Sequence, residues 1–345
     1  MKRFLYILPT NFEHVGINIK VQGQLQFLAQ HYKTSLIYIR FKRQSLFLSK
    51  LLATYIFELK AIGASLCHDI IYVRYNPKSL FVNIWLILLS YIKPVYIEHN
   101  TIMQTELHFL NRFFESNIHQ FILRCLQVSH CHHIAVNEQL KHHLVEKKLS
   151  SVIYAQNGFL KSPTDMSIIE PPIINQLKTF KQAFSHIAIF CGNGYPWHGC
   201  NDIIKLIQEH PTIGLIVVGP YSNFNTNQCL QFKFLSANTL NYVIEQCDFA
   251  FSTFRWDMLN ITDGSPLKSR HYLCHGCPII VNYHDCATDF RSLKPYIIDY
   301  RQLKDQSIPT MLTLNYNKQQ LSELACNALS WKQYFTRFLP ELSVK

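Results

Sequence analysis

The chain has 345 residues, more than one hydrophobic core normally serves and about enough for two domains of ~100–200 residues. Hydrophobic residues make up 48% against only 11 glycines and 14 prolines, which excludes disorder and collagen-like repeats. Charged residues are sparse at 16%, yet 33 Lys and Arg face 22 Asp and Glu, and the net +11 points to an anionic partner: a phosphorylated small molecule, a membrane surface or nucleic acid.

The first apolar run, Phe4–Leu8, is closed by Pro9 and falls short of the ~7–15 residues of a signal-peptide core, so it reads as a buried strand. Further strand-like runs are Ser35–Ile39, Ile70–Arg74, Val95–Glu98, His133–Val136 and Val152–Tyr154. Helical patterns fit between them at Ile19–His31, Ser45–Ala61, Leu80–Ile92, Thr105–Gln127 and Glu138–Lys147. This alternation implies a parallel sheet covered on both faces. Leu80–Ile92 is the longest apolar run and is shorter than the ~18–20 residues that span a bilayer. A polar, proline-bearing stretch from Lys161 to Pro172 reads as a linker.

The rhythm then restarts: Ile187–Cys191, a helix near Cys200–His210, Leu215–Val218, Phe232–Leu235, a helix near Thr239–Gln246, Phe249–Ser252, a helix Lys268–His275 and Ile279–Val281. The tail from Gln319 is helical and carries Trp331, Tyr334, Phe335 and Phe338. The expected organisation is an amino-terminal domain 1–160, a second α/β domain 161–325, and a closing helix 326–345 that packs back on the first domain. Two such domains leave a cleft where the carboxyl ends of both sheets meet.

The most informative segment runs from Asp263 to Val281. Ser265-Pro266 has the form of an N-cap followed by proline in the first helical turn, so a helix starts there with free N–H groups. Lys268 adds a full positive charge to that helix end, and a phosphate or diphosphate fits against it. An ordinary capped helix with a solvated lysine fits the same residues. The loop Phe190-Cys-Gly-Asn-Gly194-Tyr-Pro-Trp197-His198-Gly199 also follows a strand and opens a helix, so its glycines can bring amides close to a phosphate. A surface turn anchored by Trp197 is the plainer reading. His271, Cys274, Cys277, His284 and Cys286 form no clean tetrahedral spacing, and the odd total of 11 cysteines suits buried thiols in a reducing compartment.

Together these two segments resemble the retaining, E-x7-E family 4 glycosyltransferases of GT-B fold, whose motif reads E-G-x-P-x-K-x-x-E-x-x-x-x-G-x-P. Asp263, Gly264, Pro266, Lys268, His271, Gly276 and Pro278 stand at those places, with Asp263 and His271 replacing the two glutamates. The resemblance implies two Rossmann-like domains facing across a cleft and transfer of a sugar from a nucleotide-sugar donor, such as a UDP- or GDP-sugar, to a glycan or lipid-linked glycan. It implies retention of configuration, no metal, no bound cofactor, and a place in surface polysaccharide or lipopolysaccharide synthesis. Asp263, Lys268 and, in the first domain, His99 take the catalytic places. Gly16, Gly194, His198, Gly199, Ser265, Pro266, Leu267 and His271 take the donor-binding places, with Val217–Pro220 and Phe232–Ser236 near the base. Gly16 lies in the loop Asn11–Asn18, with His14, where relatives carry two adjacent glycines and this chain has Val15-Gly16. A neutral His271 accepts one hydrogen bond where a carboxylate accepts two, so a weakened nucleotide-sugar-binding protein is the first alternative. Arg74, Glu98 and Asn100 end strands that point to the same cleft.

Arg40, Lys42, Arg43 and Lys50 interleave with Leu46, Phe47, Leu48, Leu51 and Leu52, a basic and apolar stretch suited either to an anionic membrane surface or to a core helix with a solvated flank. The expected location is cytoplasmic, with peripheral contact at the inner face of the membrane. A nucleic-acid partner is not expected, because no dense Lys/Arg cluster or known module is present.

Overall fold

A computed structural model describes residues 1–11, 15–40, 47–222, 224 and 226–342. The chain divides into two compact units, Met1–Gln156 with Trp331–Lys345, and Asn157–Ser330. The change of unit falls just before the expected limit at residue 160, and the second unit runs past residue 325 to Ser330.

The first unit runs β1 (Arg3–Asn11), α1 (Val15–Leu28), β2 (Lys33–Ile39), α2 (Phe47–Leu66), β3 (Ile70–Arg74), α3 (Leu80–Leu89), β4 (Val95–His99), α4 (Met103–Phe109), α5 (Phe113–Leu126), β5 (His132–Ala135), α6 (Glu138–Glu146) and β6 (Val152–Tyr154). Its six strands are parallel in the order β2-β1-β3-β4-β5-β6. β4 is buried along its whole length, as expected of a sheet covered on both faces. The single helix expected over Thr105–Gln127 is two helices. Asn111 adopts φ 54° between them, and asparagine is one of the few residues that enter the left-handed region at low cost. His14, Lys42, Arg43 and Leu46 lie outside the described residues.

The carboxyl-terminal segment completes this unit. The helix Trp331–Phe335 and the residues after it lay Trp331, Tyr334, Phe335, Phe338, Leu339 and Leu342 against Phe4, Tyr72 and Val21. Phe335 stacks on Phe27 at 5.6 Å and Phe338 on Tyr72 at 6.2 Å. Burying each such ring contributes about 1.5–3 kcal/mol.

Beneath the tail lies a polar cluster that the apolar pattern does not reveal. Glu98, at the end of β4 and wholly buried, accepts hydrogen bonds from Lys20 (2.8 Å), Asn100 (2.6 Å), Gln24 (3.1 Å), Tyr334 (2.9 Å) and Tyr72. Burial works to raise its pKa, but Lys20, Arg74 and these donors hold it well below the usual carboxylate range. Burial pushes Lys20 down to about 8.

Next to Glu98, His99 Nε2 lies 3.1 Å from His133 Nδ1, and Tyr75 stacks on His99 while its hydroxyl meets His119 Nδ1 at 2.8 Å. Burial pushes His119 down to about 4 and His133 to about 3. Both folded values lie below the ordinary 6.5, so the unfolded chain binds protons that the folded chain excludes. Stability is therefore full above pH 6.5 and is lost as pH falls towards 4, by about 1.4 kcal/mol per histidine and pH unit. Melting of the first unit below pH 6.5 is expected to follow this slope, and His119→Gln to reduce it to the share left to His133; an unchanged slope in that variant contradicts the assignment.

The second unit runs α7 (Pro171–Gln182), β7 (His186–Cys191), α8 (Cys200–Gln208), β8 (Ile213–Val218), β9 (Cys229–Phe232), α9 (Ala237–Glu245), β10 (Phe249–Phe251), β11 (Asp263–Gly264), α10 (Leu267–Cys274), β12 (Ile279–Val281), β13 (His284–Asp285), β14 (Ile297–Asp299), α11 (Tyr300–Leu303), α12 (Ser307–Leu312) and α13 (Lys318–Ala328); the tail helix Trp331–Phe335 is α14. The main sheet is parallel in the order β14-β12-β10-β7-β8-β9. The expected linker ends inside the first turn of α7, where Pro171 and Pro172 stand and a missing N–H costs nothing. The strand expected at Phe232–Leu235 lies earlier, at Cys229–Phe232, because Leu215–Val218 of β8 pair with those four residues.

Candidate functional site

In the second unit the strand order reverses between β7 and β10, and ligands of open α/β sheets bind outside the carboxyl ends at such a reversal. The loop after β7 and the start of α10 both stand at this place.

The loop is built by close approaches. Gly194 and Gly199 take φ 80° and 72°. Val218 O accepts from Gly192 N at 2.9 Å, and Asn193 N donates to His198 Nδ1 at 3.1 Å. Nδ1 is thus the acceptor, which places the proton of a neutral His198 ring on Nε2. Tyr221 reaches the same loop, its hydroxyl oxygen accepting from the Gly194 amide and lying 3.5 Å from His198 Nδ1. The amides of 192, 193 and 194 therefore already have acceptors, and the expected cradle of bare glycine N–H groups is closed by the Val218 carbonyl, His198 and Tyr221.

Gly219, after β8, packs directly against the backbone of the loop. It has φ 145°, and a Cβ there would lie 2.0 Å from the Gly192 carbonyl oxygen. Backbone cannot yield as a side-chain end does. Gly219→Ala is expected to destabilise the second unit by roughly 2–4 kcal/mol, from strain and overpacking together, and a melting curve unchanged from wild type would refute this.

Lys268 stands in the first turn of α10. The residue is partly exposed, but its Nζ is enclosed, lies 4.9 Å from the centre of the Phe190 ring, and has no hydrogen-bond partner among the described residues. Burial pushes it down to about 8, and the nearest acidic hydrogens, on Cys191 and Cys200, are themselves held by burial at about 11 and 12, so neither thiol supplies a counter-ion near neutral pH. An enclosed ammonium facing no carboxylate is costly unless a ligand satisfies it.

The cap differs from expectation. Pro266 is the N-cap residue and offers no side-chain bond, while Ser265 Oγ accepts from Asn157 N at 2.8 Å and Ser265 O from Asn157 Nδ2 at 2.6 Å. Ser265 Oγ is committed to Asn157, and Pro266 at the N-cap supplies no side-chain bond to the first N–H groups of α10. His271 lies one turn further, buried, with Nε2 2.7 Å from Asn241 Oδ1 and its ring stacked on Phe159 at 4.8 Å. Burial and the neighbouring His275 hold it well below 6.5, hence neutral. Asp263 belongs to β11, paired with β13, and its Oδ1 meets His284 Nδ1 and Cys286 Sγ, both at 3.2 Å. Gly264 has no room for a side chain, because a Cβ would lie 2.0 Å from the Trp256 ring. His99 and Gly16 belong to the first unit, His99 buried and Gly16 in the first turn of α1.

The chain matches no protein-family model and no curated protein sequence. Solved structures do match. HepE of Anabaena, in complex with UDP and glucose, superposes with a TM-score of 0.58 at 16% identity over 97% of this chain and 96% of that one. Sucrose-phosphate synthase from Thermosynechococcus elongatus gives 0.62 at 10% identity over 100% and 97%. A putative UDP-N-acetylglucosamine 2-epimerase from Listeria monocytogenes gives 0.54 at 13% over 97% and 93%. The fold is GT-B.

Within this GT-B chain, sequence reasoning missed the residues that hold α10. Arg270 and Asp285 form a wholly buried ion pair at 2.5 Å; Tyr283 donates to Asp285 Oδ2 at 2.8 Å, and Ser252, Ser269 and Tyr283 hydroxyls close a ring at 2.7–2.9 Å. Tyr272 accepts from Cys191 N at 2.8 Å. A helix reading Leu-Lys-Ser-Arg-His-Tyr-Leu-Cys shows no amphipathic stripe, because polar side chains secure it from several sides. The only trace in the sequence is a charged residue, Arg270, between positions expected to be buried.

Proposed function

We propose that the chain is a glycosyltransferase that moves a sugar from a nucleotide-sugar donor to a glycan or lipid-linked glycan. The observation that carries this reading is the unpartnered, enclosed Lys268 ammonium beside the uncapped start of α10. A departing nucleoside diphosphate supplies the negative charge this arrangement lacks, and its stabilisation as it forms is the chief electrostatic contribution to such a reaction. His198, with its Nε2 proton, is assigned to the same diphosphate, and Gly194 and Gly199 give the loop the turn that presents it. Pro266 and Leu267 shape the helix end. Asp263, steadied by His284 and Cys286, is assigned to sugar hydroxyls. His99 is assigned to the acceptor side, and His271, committed to Asn241, to shaping the nucleotide site more than gripping it. Support comes from the fold shared with HepE, which binds UDP and UDP-glucose. Retention of configuration and independence of metal belong to this proposal through the family resemblance.

The test is a thermal-shift and turnover screen with UDP, GDP and their sugars. Stabilisation by a nucleotide together with release of that nucleotide in the presence of extracted lipid-linked glycans is expected. Stabilisation without transfer favours the nucleotide-sugar-binding alternative, and epimerisation of the free donor favours the chemistry of the epimerases that share the fold. No shift with any nucleotide defeats the reading.

Peripheral membrane contact is part of the same proposal. No described helix is long and apolar enough to cross a bilayer. α2 exposes Leu48, Leu51, Leu52, Tyr55 and Leu59 along one face with Lys60 beside them, and a groove of about 500 Å³ opens between it and Phe81 of α3. Glu58, the carboxylate on this helix, is buried against the Phe81 and Val82 amides. Flotation with anionic vesicles is expected to carry the protein, and Leu51→Asp with Leu52→Asp to release it; equal recovery of the variant in the vesicle fraction argues against this face.

A further inference from the structure

We propose that Arg74 anchors an oxyanion-binding site on the first unit, and that its ligand is the carboxylate or phosphate of an acidic glycosyl acceptor. The acceptor part rests on the function proposed above; the anion site does not.

The first argument is position. In the order β2-β1-β3-β4-β5-β6 the direction of winding reverses between β1 and β3, and Arg74 is the last residue of β3. This is the topological switch point of the first sheet, where open α/β sheets take ligands.

The second argument is charge. Arg74 pairs in register with Glu98 of β4, the natural counter-ion. Yet Glu98 already accepts from five donors, and a carboxylate offers about four lone-pair sites. Arg74 makes no hydrogen bond or ion pair among the described residues, and its Nη1 is buried without an acceptor. Lys20 sits on the same carboxylate, and the like charge of Arg74 adds to the burial that lowers its pKa. The other carboxyl facing this region is Glu106, on α4, which takes a hydrogen bond from Thr101 and feels Arg112 as well as Arg74; burial raises its pKa, which weakens it as a counter-ion. Two cations thus share one saturated carboxylate at a ligand-binding edge.

The third argument is chemistry. A guanidinium stays charged at any working pH and offers a planar fork of donors that matches carboxylate and phosphate oxygens. Arg74 as a whole is partly exposed while its Nη1 is enclosed, so a ligand that meets the fork is shielded from water on that side.

The experiment uses the full chain with saturating UDP, so that the Lys268 region is occupied. Melting is followed with inorganic phosphate or D-glucuronate against chloride at matched ionic strength. At least one anion is expected to raise the melting temperature by about 2 °C or more, and Arg74→Gln to abolish that rise while keeping the shift due to UDP. A response to phosphate alone identifies a phosphate-bearing acceptor, and one to glucuronate alone an acidic sugar. No response to either anion, or a response that survives Arg74→Gln, overturns the proposal. So does a fall in the ligand-free melting temperature in both Arg74→Gln and Arg74→Met, since a residue reserved for a ligand contributes little to the empty protein. If UDP itself gives no shift, the glycosyltransferase reading fails separately, and the anion series in Lys268→Ala protein still decides the role of Arg74.

Discussion

Lys268→Ala is expected to lower nucleotide-sugar turnover roughly 10²- to 10³-fold, the usual loss when one donor to a developing oxyanion is removed. UDP affinity should fall at least tenfold, equivalent to about 1.4 kcal/mol. The side chain has no partner in the ligand-free protein, so its removal breaks no native hydrogen bond. Lys268→Met keeps the aliphatic stem against Phe190 and removes a charge that burial penalises, so its ligand-free melting temperature should match or exceed wild type. Tighter folding together with weaker nucleotide binding distinguishes a ligand-binding lysine from a structural one. The pH dependence has a definite sign. With a folded value of about 8 against the ordinary 10.5, the empty site holds the lysine protonated below pH 8 and loses that proton above it. A bound diphosphate favours the charged form, so UDP affinity should be flat below about pH 7.5 and decline above 8. Calorimetric titration from pH 6.5 to 9.5 reads this directly, and an affinity that rises with pH would exclude Lys268 as the diphosphate partner.

Arg270→Met should be the most damaging single substitution for folding of the second unit. It leaves the wholly buried Asp285 facing Tyr283 and the Ala287 amide without its cation. Breaking one side of such a pair costs about 3–5 kcal/mol, which for a unit of this size lowers its thermal transition by roughly 6–20 °C. Replacing both members, as Arg270→Met with Asp285→Leu, should recover much of the loss, because the desolvation of two charges disappears with them. Scanning calorimetry resolves the second unit's transition from the first. A cost below about 1 kcal/mol for Arg270→Met would mean that the surrounding ring of Ser252, Ser269 and Tyr283 hydroxyls suffices alone. The same substitution should also weaken UDP binding in the folded fraction, since Arg270 and Lys268 share α10.

Much of the architecture is legible in the amino-acid order. β3, β6 and β12 match their expected limits because runs such as Ile70–Arg74 and Ile279–Val281 are short, branched and bounded by breakers, which leaves little freedom in where a buried parallel strand begins. The α7 segment was hidden by its own start signal: two prolines read as a linker until the helix behind them is known. Asn111 divides α4 from α5 through a backbone angle that residue type permits but does not demand.

The site divides in the same way. The motif around Pro266 and Lys268 locates a helix start with a cation, because capping and charge placement are local matters within one turn. Whether that cation has a counter-ion is not local. It depends on Cys191, Cys200 and Phe190, which only the packing of β7 and α8 against α10 brings near. His271 illustrates the limit: its place in the motif suggests a ligand contact, while Asn241 and Phe159, far away in sequence, decide its neutral, buried state. Ser265 likewise has the form of a cap and serves Asn157 instead.

Length and the order of apolar runs by themselves determined two α/β domains, and net charge raised the expectation of an anionic partner, since core volume, strand periodicity and excess charge are read from residues that no folding detail alters. The tertiary structure decided where the positive charge is left unanswered. Of the cations that the composition counts equally, Lys20 and Arg270 form ion pairs with Glu98 and Asp285, while Lys268 Nζ and Arg74 Nη1 are enclosed with no hydrogen-bond partner among the described residues. Pairing of charges depends on distances of a few ångströms between residues remote in the chain, and only the fold sets those.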